Sequence, residues 1–150
     1  LASLLGWQLQ DQYAKRIQAY FGDILRKLRL LTPSDIDDLV RSVLSSDEVK
    51  NLFLADIIAQ GRLPDQPEQQ VYLVMEVSHK VEEGDVARAR CRADLLRRAG
   101  VLCLAVVGGQ EITEGALLEV KHSKVLCTLD GSLQKGWQEI FTRSLQTDSD

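Results

Sequence analysis

Two apolar segments of the chain each carry one carboxylate. Asp56 lies in residues 52–60 and Glu76 lies in residues 71–78, and both segments are otherwise rich in aliphatic residues. An unpaired carboxylate is unfavourable in a protein core, so buried acids are paired or hold a metal ion. If the two segments form neighbouring strands, Asp56 and Glu76 converge on one point. Two carboxylates with water suit Mg²⁺ or Mn²⁺, so the pair is a candidate metal site.

Polar groups follow Glu76 along the same segment. Side chains alternate along a strand, so Glu76, Ser78 and, if the strand continues, Lys80 share one face. A metal nuclease needs acids that fix the ion and a nearby cation that steadies the attacking water and the charge developing on the phosphate. Residues 76–80 therefore predict part of a phosphodiester-cleaving site, with Lys80 as the cation.

A long N-terminal helix is predicted over residues 5–30. Apolar residues recur there at three- and four-residue steps, which places them on one face: Leu9, Tyr13, Ile17, Tyr20, Phe21, Ile24 and Leu28. Gln10 is the polar exception, because at about 100° per residue it points within the apolar stripe. A polar group at that position needs a hydrogen-bond partner.

The rest of the chain alternates between helical and extended patterns. Helices are predicted to begin at Thr32-Pro33 and at Ser45-Ser46, and further helices over 85–99, 114–122 and 132–145. Strands are predicted over 52–60, 71–78, 101–107 and 124–129. Gly61, Pro64 and Pro67 between the first two predict a hairpin, and a right-handed crossover makes the second and third parallel. This order predicts an α/β domain over residues 1–145, with a central mixed sheet of about four to five strands flanked by helices. Residues 146–150 are predicted to be a disordered tail.

Bulk properties restrict the partners. The net charge is −4, so a nucleic-acid contact must rest on a local basic patch. No apolar run reaches the roughly 20 residues that cross a bilayer, and no membrane association is expected. Cys91, Cys103 and Cys127 lack metal-ligand spacing, which favours free thiols in a reducing compartment and therefore the cytoplasm.

These features together resemble the PD-(D/E)XK nuclease-like superfamily. Asp56 matches the family's second-strand acid, and Glu76 matches the acid of its third-strand acid-x-lysine motif. The resemblance implies a restriction-endonuclease-like core of helix, three strands, helix and strand. Two positions depart from the pattern. Gln10 stands where the family has a first-helix glutamate, and Ser78 stands where it has lysine, so Lys80 is the candidate replacement.

The resemblance also implies a crossover helix that offers side chains to the site. Residues 85–99 match it, with Arg88 and Arg92 on one ridge and Arg90 on the other flank. It implies Mg²⁺ or Mn²⁺ held by Asp56, Glu76 and the Gln10 carbonyl, and DNA contacts from the three arginines. Loss of one anionic ligand weakens attraction for a hard cation, so weak or absent endonuclease activity is expected.

Structural interpretations remain open beside the catalytic ones. Asp56 and Glu76 could end their strands at solvent or pair with Arg88 or Arg92, and Gln10 could cap a backbone group. The arginine-rich helix could be a solvated face with the local pairs Asp85–Arg88 and Asp94–Arg98. The alternative function is a non-enzymatic module that binds nucleic acid or protein, including a partner or a second copy docked through the N-terminal helix.

Overall fold

A computed structural model describes the backbone of residues 2–146 and the side chains of residues 6–146. The predicted tail residues 147–150 lie outside the described part. The helices are α1 Ala2–Lys15, α2 Ile17–Phe21, α3 Pro33–Arg41, α4 Ser46–Phe53, α5 Glu83–Arg97, α6 Glu114–His122 and α7 Trp137–Leu145. The strands are β1 Arg26–Leu30, β2 Ile57–Arg62, β3 Gln70–Val77, β4 Lys80–Val81, β5 Cys103–Gly109, β6 Glu111–Ile112, β7 Val125–Leu129 and β8 Ser132–Leu133.

Six of the strands form one mixed sheet in the order β1-β2-β3-β5-β7-β8. The β1-β2-β3 part is antiparallel, β3, β5 and β7 are mutually parallel, and β8 is antiparallel to β7. The sheet thus has more strands than the four to five expected. The predicted hairpin β2-β3 and the predicted parallel pairing of β3 with β5 are both confirmed.

Helices cover both faces of this sheet. On one face, α1, α2 and α7 bury residues such as Tyr13, Phe21 and Ile140 against β3, β5 and β7. On the other face, α3 to α6 surround residues such as Val74 and Val107. Small residues let α5 approach the sheet closely, since Ala89 and Ala93 are fully buried on it. The architecture is therefore α/β with helices on both sides of a mixed sheet.

The two predicted helix starts are confirmed as capping boxes. Thr32 and Asp35 cap the beginning of α3, where Asp35 Oδ2 accepts from the Thr32 backbone N–H at 2.8 Å. Ser45 and Glu48 do the same at the beginning of α4. Each reciprocal pair satisfies backbone N–H groups that the first helical turn leaves without partners.

The prediction of one long helix over residues 5–30 is wrong in its second half. The helix breaks at Arg16, α2 ends at Phe21, and the chain then forms β1, which pairs antiparallel with β2. Ile24 and Leu28 had matched the helical period, yet both stay in the same core cluster from a turn and a strand. Gly61 of β2 permits this approach, because a Cβ there would lie 3.0 Å from side-chain carbons of Leu25 and Leu28. A turn and a paired strand therefore bury the same apolar residues that a continued helix would have buried.

Two other boundaries also differ. Residues 52–53 belong to α4, so the strand that follows is Ile57–Arg62 rather than 52–60. Ser132 and Leu133 form β8 on the sheet edge, and the last helix begins only at Trp137. Gly131 and Gly136 both have positive φ, 82° and 85°, which allows the chain to turn before and after β8.

Candidate functional site

The structure places the two predicted acids side by side. Asp56 immediately precedes β2, and the β2–β3 register pairs Ile57 with Met75, so Asp56 lies opposite Glu76. Each carboxylate also accepts a hydrogen bond from the other strand's backbone. The Val77 N–H donates to Asp56 Oδ2 at 2.9 Å, and the Asp56 N–H donates to Glu76 Oε2 at 3.4 Å. The two acids thus close the end of the β2-β3 hairpin opposite its connecting loop.

Glu76 is also bound by a guanidinium group from the crossover helix. Arg92 Nη1 lies 2.7 Å from Glu76 Oε1, and the exposed fractions of the two side chains are 9% and 5%. Arg92 Nε donates to Asn51 Oδ1 of α4 at 3.1 Å, which fixes the plane of the guanidinium. Arg92 therefore joins α4, α5 and β3 through one buried charge.

Arg88 supplies a second, weaker positive charge near the same acid. Its Nε lies 4.0 Å from Glu76 Oε1, while its Nη2 lies 2.6 Å from Asp85 Oδ1 in the same helix. Half of the Arg88 side chain is exposed. The expected pairing of Arg88 with Asp85 is confirmed, and most of the charge of Arg88 is directed to Asp85 and to solvent.

Burial controls the protonation of Glu76. Desolvation raises the pKa of its carboxyl group above the ordinary value, and the negative charge of Asp56 raises it further. The charge and hydrogen bond of Arg92 act in the opposite direction. The raised pKa means that the neighbouring cation offsets the cost of the buried carboxylate only in part.

Gln10 reaches the same strand end from α1. Its Nε2 donates to the backbone carbonyl oxygen of Asp56 at 3.0 Å, and the residue is half-buried. The amide therefore caps a backbone group, as one of the two interpretations anticipated. In this arrangement the Gln10 group that faces Asp56 is a donor, whereas a metal ligand would have to present its oxygen.

Lys80 does not continue the strand that carries Glu76. β3 ends at Val77, and Lys80 belongs to β4, which pairs with β6 in a separate two-stranded sheet. The strand therefore does not continue to Lys80, which was the condition for placing Lys80 on the face of Glu76. Ser78 Oγ donates to the Lys80 carbonyl oxygen at 3.0 Å, so Ser78 shapes this turn. The end of β5 approaches this turn closely, because a Cβ on Gly109 would clash with the Ser78 carbonyl oxygen.

The three arginines predicted to contact DNA do not form one surface. Arg92 is buried against Glu76, and Arg88 is bound to Asp85. Arg90 is exposed on the other flank of α5, where it lines a cleft of about 450 Å³ with Arg97 and other residues. A phosphate backbone following one groove would meet Arg88 and Arg90 on different sides of the helix.

One of the local pairs expected on this helix is wrong. Asp94 Oδ1 lies 2.6 Å from Arg97 Nη1, three residues later, rather than near Arg98. Arg98 instead extends to Glu48 of α4, 2.5 Å away. Arg98 is thus bound between helices, whereas the sequence pattern indicated a contact within one helix.

The candidate metal-ligating groups at this strand end do not fit a divalent cation in their present arrangement. Asp56 Oδ2 and both oxygens of Glu76 accept hydrogen bonds, and a guanidinium lies against Glu76 where an ion would have to approach. Gln10 presents its N–H₂ group. Within residues that the structure describes, no group of three or more His, Cys, Asp or Glu side chains is placed to hold a metal ion.

Cys103 and Cys127 offer no nucleophile to this site. All three are free thiols, and Cys103 and Cys127 are buried in the core. Burial raises the pKa of Cys103 to about 12 and that of Cys127 to about 11, which disfavours their reactive thiolate forms at neutral pH. Both residues pack as small apolar groups, as their apolar sequence context predicted.

Sequence reasoning missed Asn51, the partner of Arg92. Asn51 lies near the end of α4 in a segment predicted only as a short turn of helix, and it meets Arg92 across 41 residues of sequence. Nothing in the spacing of the two residues signals this contact. Only the packing of α4 against α5 brings them together.

Comparison of the chain with protein-family models, curated proteins and solved structures finds no match. In the part of the chain that the structure describes, no helix is both long and apolar enough to cross a membrane.

Proposed function

We propose that this chain is a nuclease-like domain that has lost catalysis and acts as a non-enzymatic binding module. The observation that carries the proposal is the buried Arg92–Glu76 ion pair, with Nη1 2.7 Å from Oε1. A metal nuclease needs its strand acids free to hold an ion. Here a fixed protein cation neutralises the acid that would be the principal ligand.

The order of elements supports a restriction-endonuclease-like core as part of this proposal. A helix precedes three antiparallel strands, α5 crosses over, and β5 returns parallel to β3. Asp56, just before β2, and Glu76, in β3, are the acids that this proposal matches to the family's second- and third-strand positions. Two helices, α3 and α4, separate β1 from β2, which makes this connection an addition to the proposed core.

Two positions that carry charged catalytic groups in the resembled family are neutral in this chain. The first-helix position is the neutral amide of Gln10, which donates to a backbone carbonyl, and the third-strand lysine position is Ser78. Each change removes one charge that metal binding or phosphate stabilisation would use. Arg92 then compensates the one acid that remains buried.

A metal-dependent endonuclease with weakened activity is the second candidate function. The adjacency of Asp56 and Glu76 favours it, since two neighbouring carboxylates are the minimum that such a site keeps. For this function Arg92 would have to swing away from Glu76 so that Mg²⁺ or Mn²⁺ takes its place. Lys80 would then have to approach from β4, where it is exposed.

The remaining parts of the proposal concern location and protein partners. The free thiols of Cys91, Cys103 and Cys127 favour a reducing compartment, and we propose the cytoplasm. A protein partner or a second copy at α1 stays a prediction. Trp7 of that helix, whose exposed fraction is 72%, is an apolar side chain available for it.

Plasmid nicking with Mg²⁺ and with Mn²⁺ tests the proposal. The wild-type chain, Glu76→Gln and Glu139→Gln should all leave supercoiled DNA intact. Glu139→Gln is the matched control, because it removes an exposed acid of α7. Metal-dependent nicking by the wild type and Glu139→Gln, but not by Glu76→Gln, would establish the endonuclease instead.

A further inference from the structure

One end of the sheet presents a polar face built from three antiparallel strands. The register pairs Arg26 with Arg62 and Arg29 with Gln60 across β1 and β2, and pairs the same β2 residues with Gln70 and Tyr72 of β3. Directly opposed residues project from the same face of a sheet. The face, which we call the arginine face, therefore consists of Arg26, Arg29, Gln60, Arg62, Gln70 and Tyr72.

A bulge in β1 creates this arrangement. Arg26 and Arg29 are three residues apart, so regular alternation would send them to opposite faces. The register shifts between them, and Lys27 adopts a positive φ of 53°. The extra residue turns both arginines to the same side, and such re-aiming of a side chain is a common role of β-bulges.

The charges on the arginine face are not neutralised by acids. Arg26 and Arg62 oppose one another directly, which places like charges across the strand pair. In the described part of the chain, no carboxylate lies within 4.0 Å of the guanidinium of Arg26, Arg29 or Arg62. Five other arginines, by contrast, make such contacts: Arg41, Arg88, Arg92, Arg97 and Arg98.

Neutral groups hold the three guanidinium groups in place. Arg26 Nη1 donates to the Gly22 carbonyl at 2.9 Å, and Arg62 Nη1 donates to the Pro67 carbonyl at 3.0 Å. Arg29 Nε donates to Gln60 Oε1 at 3.3 Å. Each guanidinium has five N–H donors, so these contacts orient the side chains and leave donors for an anionic partner.

One acid lies close enough to feel this charge. Hydrogen bonds from Thr32 are the main reason that the pKa of Asp35 is lowered, and the charge of Arg29 contributes a smaller part. Asp35 is engaged in capping α3. Its charge moderates the positive potential near Arg29, at one corner of the arginine face.

We propose that the arginine face binds single-stranded nucleic acid. Arg26, Arg29 and Arg62 contact backbone phosphates, which guanidinium groups recognise in a bidentate manner. Tyr72 of β3 is half-buried and packs partly against the core, and the exposed part of its ring offers a surface on which a base stacks. A sheet surface with an aromatic side chain and flanking cations is a known way to hold unpaired bases.

Three features favour a nucleic acid over an acidic peptide. The cations project from the sheet face, whereas a peptide added to β1 would use its backbone edge. The face contains an aromatic ring, which phosphate-linked bases use and carboxylate side chains do not. Gln60 and Gln70, joined by a hydrogen bond of 3.0 Å from Nε2 to Oε1, also offer amide groups to base edges.

This inference gives the proposed binding role a partner but uses a surface separate from Asp56 and Glu76. It is therefore tested with EDTA present, so that the result is independent of metal chemistry. The probe is a fluorescein-labelled oligothymidylate of roughly 20 nucleotides, long enough for one site. Fluorescence anisotropy is measured at several salt concentrations.

The expected result is salt-sensitive binding that depends on the arginine face. Arg26→Gln/Arg62→Gln should weaken binding at least tenfold and reduce the salt slope by about 1.4, because each lost single-strand phosphate contact removes roughly 0.7. Tyr72→Leu should weaken binding about fivefold or more, whereas Tyr72→Phe keeps the stacking ring. Arg41→Gln is the matched control and should bind as the wild type does, because Arg41 pairs with Asp37.

Either of two outcomes overturns the inference. The first is an absence of binding, or equal binding by the wild type and the arginine double variant. The second is competition by polyglutamate as strong as by unlabelled oligothymidylate, with Tyr72→Leu unchanged, which assigns the face to an acidic peptide. Neither outcome depends on the nicking assay, so failure here is distinguishable from failure of the proposed loss of catalysis.

Discussion

Arg92 and Glu76 form an ion pair that is closed to solvent and spans two layers of the fold. The guanidinium comes from the middle of α5 and the carboxylate from the end of β3, and Nη1 lies 2.7 Å from Oε1. Removing both charges from water is costly, and their attraction recovers the cost only when both are present. Each residue is therefore tolerated at this position because of the other.

Arg92→Met is expected to destabilise the fold strongly. Methionine keeps much of the side-chain volume but leaves Glu76 buried without its cation. Breaking one side of a buried pair costs roughly 3–5 kcal/mol. Urea denaturation at neutral pH measures the change in the free energy of unfolding.

Two further variants test whether the instability arises from Glu76 left without its cation. Arg90→Met removes a cation from the exposed side of the same helix and should change stability by less than about 0.5 kcal/mol. Arg92→Met/Glu76→Gln removes both charges and should recover much of the loss. If the loss of stability in the double variant equals the sum of the losses in Arg92→Met and Glu76→Gln, the two charges do not interact as described.

The instability of Arg92→Met should also depend on pH. Burial and Asp56 already raise the pKa of Glu76, and Arg92 is the main group that lowers it. Without Arg92 the folded-state pKa rises further above the ordinary value of 4.5. The folded state then binds the proton more tightly than the unfolded state. The stability gained from protonation is thus complete below 4.5 and is lost as the pH rises through the folded-state pKa.

Denaturation of the wild type and Arg92→Met across the range from about pH 7 down to about pH 4.5 measures this difference. The gap between the two proteins should narrow as the pH falls, because a protonated Glu76 no longer requires a cation. A gap that is constant across the range would mean that lost packing of the Arg92 side chain, and not its charge, causes the instability.

The sequence predicted the central crossover well because several independent signals agree there. The apolar, β-branched residues of β3 and β5 and the small residues of α5 all favour the same parallel unit, and the structure confirms it. The adjacency of Asp56 and Glu76 followed from the predicted hairpin. The cation that binds Glu76 was named only as one of two candidates, because side-chain reach across a helix is not encoded in spacing.

The strand β1 was unpredictable for a physical reason. Leu28 of β1 and Ile24 just before it continue the helical spacing of α1, and the partner that makes β1 a strand lies in β2, more than 25 residues later. Pairing with β2 and the space at Gly61 outweigh the local pattern. The error also concealed the arginine face, because Arg26 and Arg29 both fall within the helix predicted over residues 5–30.

Gln10→Glu tests whether the first-helix position retains a metal-ligand role. The Gln10 amide donates to the Asp56 carbonyl at 3.0 Å, and an ionised glutamate has no donor for this bond. The variant should lose about 1–2 kcal/mol of stability, since the carbonyl is left without its partner and faces a negative charge. Thermal denaturation compares it with Gln8→Glu, which adds the same charge at an exposed position of α1.

The response of the same variants to Mn²⁺ decides between the two candidate functions. Under the proposal, Mn²⁺ stabilises Gln10→Glu no more than Gln8→Glu, because Arg92 still neutralises Glu76. A rise in the denaturation temperature that is specific to Gln10→Glu would show that a third carboxylate restores an ion site. That result would favour the endonuclease interpretation of the strand acids.

Arg62→Gln is expected to stabilise the isolated protein. Arg62 lies directly opposite Arg26 in the β1–β2 register, and like charges at opposed strand positions are destabilising by roughly 0.2–1 kcal/mol. The Arg62 contact with the Pro67 carbonyl is exposed, so water replaces the Nη1 donor that glutamine is too short to supply. The free energy of unfolding, measured at low ionic strength where repulsion between exposed charges is least screened, should rise by about this amount. Added salt should reduce the difference between the wild type and the variant.

Arg143→Gln, which removes a cation from α7, serves as the control and should not gain stability. A loss of stability in Arg62→Gln that does not respond to added salt would mean that the opposed arginines do not repel one another.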